Sequence, residues 1–251
     1  MADARGILAV IAGSGMASVA DSLACERVVR FDEIDGVGAC TVHGHSGEVR
    51  EGTLAGRACL MVVGRRHVYE RETTAMTRLI AWLFARGATH LLVTSAAGGL
   101  RRTLEPGELL VAHDIIDRQN RGLLGGGRAT GNAQNPLTLD PALRAAVERA
   151  ATRAAVPWQR GILVCGSGPA YETSAEVRAL QEADGAVATM SAAPEVAAAN
   201  AVGLPVAVAA LVTNPGTGIS ATALSHDEVL AVGREAAGRV AGLVSQLIVE
   251  L

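Results

Sequence analysis

Lysine is absent from these 251 residues: all 22 basic side chains are arginines. That excludes a Walker-type phosphate lysine, a Schiff-base lysine and a lysine general base. Aromatics are almost as scarce, at 2% of the chain, so the core has to be built from Val, Leu, Ile and Ala. The four cysteines, Cys25, Cys40, Cys59 and Cys165, form no CxxC pair and keep no metal-site spacing from a histidine. A disulfide scaffold and a structural zinc are therefore not expected, and a reducing compartment is. No apolar run reaches the roughly 18 residues of a membrane span, and Met1–Arg5 sets an acid before a short apolar run that soon meets glycine, unlike a secretory leader. A soluble, cytoplasmic protein is expected. Charge of neither sign dominates: the formal net charge is −3, which gives no general attraction to nucleic acid or an anionic membrane.

What the chain does contain is the composition of a folded globule, 49% hydrophobic and 19% charged. At about 100–200 residues per domain its length allows one large domain or two small ones. No repeat or linker divides it, so a single domain over residues 1–251 is expected. Short apolar runs bounded by glycine alternate with helical spacing. The spacing predicts strands over Ile7–Ala12, Val49–Leu54, Ala58–Val63, His90–Thr94, Leu109–Ile116, Gly161–Val164, Ala186–Ala188 and Val206–Thr213. It predicts helices over Thr73–Ala85, Ala142–Ala154, Ser174–Ala183, Pro194–Ala201 and His226–Leu247. Alternation of helices with nearly continuous Val/Ile/Leu strands means an α/β layered sheet. The glycine-rich stretch Asp117–Pro136 reads as a long surface excursion.

Polar residues gather directly after the predicted strands, where α/β proteins place ligands. Gly13-Ser14-Gly15 follows the first strand; such a turn brings backbone N–H groups and a hydroxyl close to an anion. It also begins a GxGxxG-like pattern with Glu33 at the dinucleotide distance, but the sixth position is Ser18, which counts against a nucleotide fingerprint. Gly64-Arg65-Arg66-His67-Val68-Tyr69-Glu70 sets two arginines beside a histidine. An arginine fork suits bidentate phosphate binding; the competing reading is a solvated surface run, against which stands Tyr69 in so aromatic-poor a chain. HVYE is not the HExxH of a zinc protease, and no GxSxG elbow is present. Further groups follow later strands: Pro169 to Thr173 with Tyr171 and Glu172, then Met190-Ser191, then Asn214. Singly, each reads equally well as core, helix-start or turn chemistry. Together they offer an anion site, a stacking face, a carboxylate and an amide, a set that suits phosphate plus a heterocycle bearing N–H groups. His43 and His45 lack a carboxylate or cysteine cluster to complete a metal site.

In order along the chain, GSGM (13–16), GHSG (44–47), GRRHVYE (64–70), VTSAAGGL (93–100), GPAYET (168–173), ATMSAAPEV (188–196), LVTN (211–214) and LSHDEV (224–229) resemble the trimeric purine nucleoside phosphorylases, a class that includes the methylthioadenosine phosphorylases. The resemblance covers most of the chain and implies an α/β layered fold with a central mixed sheet flanked by helices. It also implies a homotrimer that uses inorganic phosphate as co-substrate, with no cofactor and no metal. By the same resemblance Ser14, Arg65, His67, the backbone at Ala96, Ser191 and His45 would bind phosphate. Tyr69, Met190 and His226 would hold the ribose. Tyr171 would pack on the purine, which Glu172 and Asn214 would hydrogen-bond, and His67, Glu172 and Asn214 would carry the catalysis. The amide at 214, where the methylthioadenosine branch has an aspartate, favours inosine and guanosine. Three departures stand out: Arg66 replaces an aromatic and adds a cation near the phosphate mouth, Ser95 replaces an asparagine, and the excursion lacks the aromatic lent to a neighbouring subunit. The rival expectations are a methylthioadenosine-type activity and a non-catalytic nucleoside-binding protein on the same scaffold.

Overall fold

The computed structural model describes residues 6–40, 46–70, 74–119, 137–219 and 226–251. His43, His45 and most of the expected surface excursion lie outside them. Strands β1 (Ile7–Ala12), β2 (Ala24–Arg30), β3 (Glu48–Leu54), β4 (Arg57–Val63), β5 (Ala88–Gly99), β6 (Leu109–Asp117), β7 (Trp158–Cys165), β8 (Gly185–Thr189) and β9 (Val206–Pro215) share one sheet. Its order is β2-β3-β4-β1-β5-β8-β7-β6-β9, and β9 pairs back onto β5, so the last five strands close into a ring. The sheet is mixed. β1 is parallel to both β4 and β5, β2-β3-β4 is an antiparallel meander, and β5 meets β8 antiparallel only at Gly98 and Gly99. The β3–β4 turn at Ala55-Gly56 has φ of 49° and 75°, the left-handed pair that matches strand twist in a two-residue hairpin.

Because side chains alternate along a strand, the central strands feed two cores. Ala9 and Ile11 of β1 and Leu60 and Val62 of β4 join one; Leu8, Val10, Cys59 and Met61 join the other. Helices α1 (Ala75–Ala85) and α4 (Ala193–Ala201) cover the first face, and α2 (Pro141–Arg153) and α5 (His226–Glu250) the second. The expected layered α/β sheet flanked by helices is thus what the chain forms. Helix α3 (Ser174–Glu182) begins with a capping box, in which the Thr173 hydroxyl accepts from Glu176 N and Glu176 accepts from Thr173 N.

Two strands depart from expectation by more than three residues. β5 does not stop at Thr94 but continues through Ser95-Ala96-Ala97-Gly98-Gly99, paired to β9 along the way. Low strand propensity is overridden there by pairing, and bulk is excluded by crowding: a Cβ on Gly98 would sit 3.3 Å from the Asn214 amide nitrogen, and one on Gly99 3.3 Å from Val212. β2 was not expected as a strand. It is an edge strand with only Val29 buried, so it has no apolar alternation to betray it.

The Gly13-Ser14-Gly15 turn leads into a 3-10 helix, Ala17–Ser22, instead of the α-helix a dinucleotide-binding unit needs. Glu33 is occupied in capping the backbone N–H of Arg30. The glycines of this turn serve close approach. Gly15, at φ 76°, lies against Gly233 of α5, where a Cβ would fall 2.8 Å from the Gly15 Cα and the Ser14 carbonyl oxygen. Gly233→Ala is therefore expected to destabilise by about 1–3 kcal/mol, the usual cost of overpacking. Gly238, on the same helix, has nothing within 4 Å of its Cβ position, so Gly238→Ala is expected to stabilise by up to about 1 kcal/mol through helix propensity. Equilibrium urea unfolding of the two variants checks both signs.

Candidate active site

A cavity of about 230 Å³ opens where the chain leaves β1, β4, β7 and β8 and along the ends of β5 and β9. Ser14 enters it from the turn after β1, and Arg65, His67 and Tyr69 from the segment after β4. Ser95 to Gly98 of β5 form one wall. Tyr171 and Glu172 come from the β7–α3 loop, Met190 and Ser191 from the end of β8, Asn214 from β9 itself, and Val229 from α5. All ten described candidates, Ser14, Arg65, His67, Tyr69, Ala96, Tyr171, Glu172, Met190, Ser191 and Asn214, are thus brought to one cavity. His45 lies outside the described residues, and of His226 only the backbone, as the first residue of α5, is described.

Around Arg65 the cavity wall is tightly wired. The Arg65 side chain is 1% exposed and donates from Nη1 to Glu195 Oε1 at 3.0 Å, and from Nη2 to the Thr94 carbonyl. Burial pulls its guanidinium below the usual arginine range, and the Glu195 carboxylate opposes that pull. Thr94 also accepts from Gly13 N at 3.1 Å and donates its hydroxyl to Ile11 O at 2.8 Å. One threonine therefore ties the turn after β1, the segment after β4 and strand β5 together. His67 is held by its own backbone N–H donating to Glu70 Oε2 at 2.6 Å, and its ring stacks on Tyr69 with centroids 4.9 Å apart. Ser191 Oγ lies 3.2 Å from Thr189 Oγ1, which donates to Ala96 O at 2.9 Å. Ser95 Oγ is buried on the cavity wall with no hydrogen-bond partner among the described residues.

Arg66 does not do what its position in the sequence implies. Its side chain turns to Glu70, 3.4 Å away, and donates to the Ala39 carbonyl, and it is not part of the cavity wall. The added cation is neutralised beside the site, so the mouth does not gain its charge.

The Asn214 amide is fixed for directional hydrogen bonds. Asn214 Nδ2 donates to Pro215 O at 3.0 Å, and Oδ1 accepts from the Thr213 hydroxyl at 2.9 Å. A carbonyl only accepts, so the first contact fixes which amide atom is nitrogen and leaves its second hydrogen for a ligand. Glu172 Oε1 lies 3.0 Å from the Cβ position of Gly166, a gap that any larger residue would close. Tyr171 is 39% exposed on the cavity wall; burial, then Glu172 and Glu228, push its phenol up from the usual value. Gly168, at φ 65°, lets the loop pass Met190 and Tyr69, whose atoms would be 2.6 and 2.9 Å from a Cβ there.

Residues 7–249 match the sequence profile of the Phosphorylase superfamily. Purine nucleoside phosphorylase 1 of Bacillus subtilis is 32% identical over 97% of this chain and 92% of its own. The Bos taurus purine nucleoside phosphorylase is 33% identical over 97% and 89%. Among solved structures, the Schistosoma mansoni purine nucleoside phosphorylase with inosine superposes at a TM-score of 0.87, with 30% identity over 98% of this chain and 90% of that one. The chain belongs to the purine nucleoside phosphorylases of the Phosphorylase superfamily.

For this phosphorylase the sequence motifs found most of the cavity wall but not the residues that hold it in place, Thr189 and Thr213 on the wall itself and Thr94 and Glu195 behind it. Thr94, Thr189, Thr213 and Glu195 are all buried polar residues that hold wall residues in place. Threonine inside a strand carries no signal of its own because it is a good strand former. Glu195 sits in the first turn of α4, where an acid is ordinary helix-dipole chemistry. Removing one partner of a buried ion pair strands the other. Arg65→Ala is accordingly expected to cost about 3–5 kcal/mol of stability, visible as a lowered denaturation midpoint. A wild-type midpoint would mean that the Arg65–Glu195 pair is not closed in solution.

Proposed function

We propose that the chain cleaves the N-glycosidic bond of 6-oxopurine nucleosides, inosine and guanosine and their 2′-deoxy forms, with inorganic phosphate, giving the free base and (deoxy)ribose 1-phosphate. The observation that carries this reading is the lining of one cavity, which brings an arginine, a histidine and serines together with a carboxylate and a fixed amide. Ser14, Arg65, His67, the backbone at Ala96 and Ser191 take the phosphate, joined by His45. Tyr69, Met190 and His226 take the ribose, and Tyr171, Glu172 and Asn214 the purine. Related structures carry hypoxanthine, inosine and guanosine, which supports this choice of base.

Phosphate attacks C1′ as the bond to N9 breaks through an oxocarbenium-like state. Holding the nucleophile in line is worth roughly 7–11 kcal/mol of barrier. Electrons flowing into the purine are stabilised where the free Asn214 Nδ2 hydrogen meets N7. The Glu172 carboxylate accepts from N1–H, a donor that 6-oxopurines have and adenine lacks. Leaving that carboxylate unpaired against the wrong base penalises it by on the order of 10⁴-fold. Phosphate and nucleoside are the only ligands in this reading, without cofactor, metal or nucleic acid, and the enzyme works as a cytoplasmic homotrimer. Among the described residues no helix is long and apolar enough to cross a membrane. A related structure also holds adenosine, which makes a methylthioadenosine-type activity on 6-aminopurine nucleosides the second reading.

The test is to incubate the protein with inosine, guanosine, adenosine or methylthioadenosine, with and without phosphate, and to quantify free base. Release from inosine and guanosine only with phosphate is the expected result. Release mainly from the adenine nucleosides would overturn the base preference, and no release from any would leave a binding protein. Asn214→Asp is expected to shift relative activity toward 6-aminopurines. An unchanged inosine-to-adenosine ratio would remove Asn214 from base selection.

A further inference from the structure

We infer that Glu195 is a positioning residue for phosphate, acting only through Arg65; this rests on the phosphorolysis reading above. Arg65 is part of the cavity wall and Glu195 is not, yet the two side chains are each 1% exposed and meet at 3.0 Å. An arginine retains its charge in a protein and offers five N–H donors in a rigid plane. Glu195 holds Nη1 and the Thr94 carbonyl holds Nη2. A planar group pinned at two of its nitrogens can no longer rotate, so its remaining donors are aimed before any anion arrives. With no lysine in the chain, no flexible ammonium is available to take over this task.

The backbone explains how a helix residue reaches that place. Ser191 faces the cavity, and the next residue, Ala192, adopts φ 80° and ψ −40°, a conformation that alanine rarely occupies. The turn redirects the chain at once, so α4 starts at Ala193 and its first turn brings Glu195 to Arg65. There the helix N-terminus favours the carboxylate's charge. One strained turn thus sets a wall residue and the group that steadies its neighbour.

Steady-state kinetics on four variants, each checked for folding by circular dichroism, test the inference. Glu195→Ala is expected to raise the phosphate KM at least about tenfold, the weight of one charge-assisted hydrogen bond, and to leave the inosine KM unchanged. Glu195→Gln keeps an acceptor oxygen opposite Nη1 and is expected to restore most of the phosphate KM. The decisive comparison uses the Arg65→Ala background. There Glu195 is a stranded carboxylate beside an anion site, so adding Glu195→Ala is expected to lower the phosphate KM, reversing the sign of its effect. A group that merely supports the fold would raise it further in both backgrounds, and that result overturns the inference. So does a rise of the inosine KM in step with the phosphate KM, or a Gln variant as impaired as Ala. If Glu195→Ala alone does not fold, the Gln variant and the comparison of Arg65→Ala with the double variant still decide the matter. Normal phosphate dependence in every Glu195 variant would sink this inference alone, whereas a wild-type enzyme indifferent to phosphate would overturn it together with the proposed reaction.

Discussion

Strand β5 has to satisfy two different pairings within one sheet at once. Its first half lies between β1 and β9 in a parallel array, and its last residues meet β8 from the opposite direction to close the ring. A strand with large side chains cannot do this, because the closing residues lie against Asn214 and Val212 at van der Waals distance. The run Ser95-Ala96-Ala97-Gly98-Gly99 is the consequence, and it leaves a wall of small groups and backbone. The cavity exists because the ring can close only around residues with almost no side chain. Most of the polar groups are then brought to that wall from neighbouring strands and loops.

Around that wall two groups of residues are stiffened by different means. About Arg65, charge is handled by long-range pairing: Thr94 on β5, Arg65 after β4 and Glu195 on α4 are far apart in sequence and share one buried network. About Asn214 and Glu172 the constraints are local. Thr213 and Pro215 flank Asn214 and fix its amide from either side, and the capping box fixes the start of the helix that follows Glu172. Such preorganisation matters for a reaction in which charge moves from the sugar to the base, since fixed dipoles need no reorganisation when the bond breaks.

The central strands and all five helices were readable from residue order alone, because burial on both faces writes uninterrupted Val/Ile/Leu runs and buried helix faces write a 3.6-residue period. β2 left no such mark, since an exposed edge strand has no buried face to encode. The extension of β5 was invisible for the opposite reason: propensity is local, whereas ring closure depends on β9, more than a hundred residues away. The same division holds at the site. Wall residues were legible because motif and strand end coincide, as with Tyr171-Glu172 and Met190-Ser191. Glu195 and the supporting threonines were not, because their significance lies in partners that only the fold supplies. Arg66 was misplaced for that reason too, its charge being claimed by Glu70 and a carbonyl on another segment.

Ring closure also decides how the sheet meets its surroundings. With β5 through β9 joined to one another, β2 is the one open edge in the strand order among the described residues. Open edges are templates for intermolecular strand pairing, and proteins blunt them with charge and bulges. β2 has both: Glu26, Arg27 and Arg30 are exposed along it, and its register shifts between Cys25 and Arg27. Among the described residues, the protection of this sheet against strand-to-strand pairing therefore falls on a single seven-residue segment that takes no part in the cavity wall.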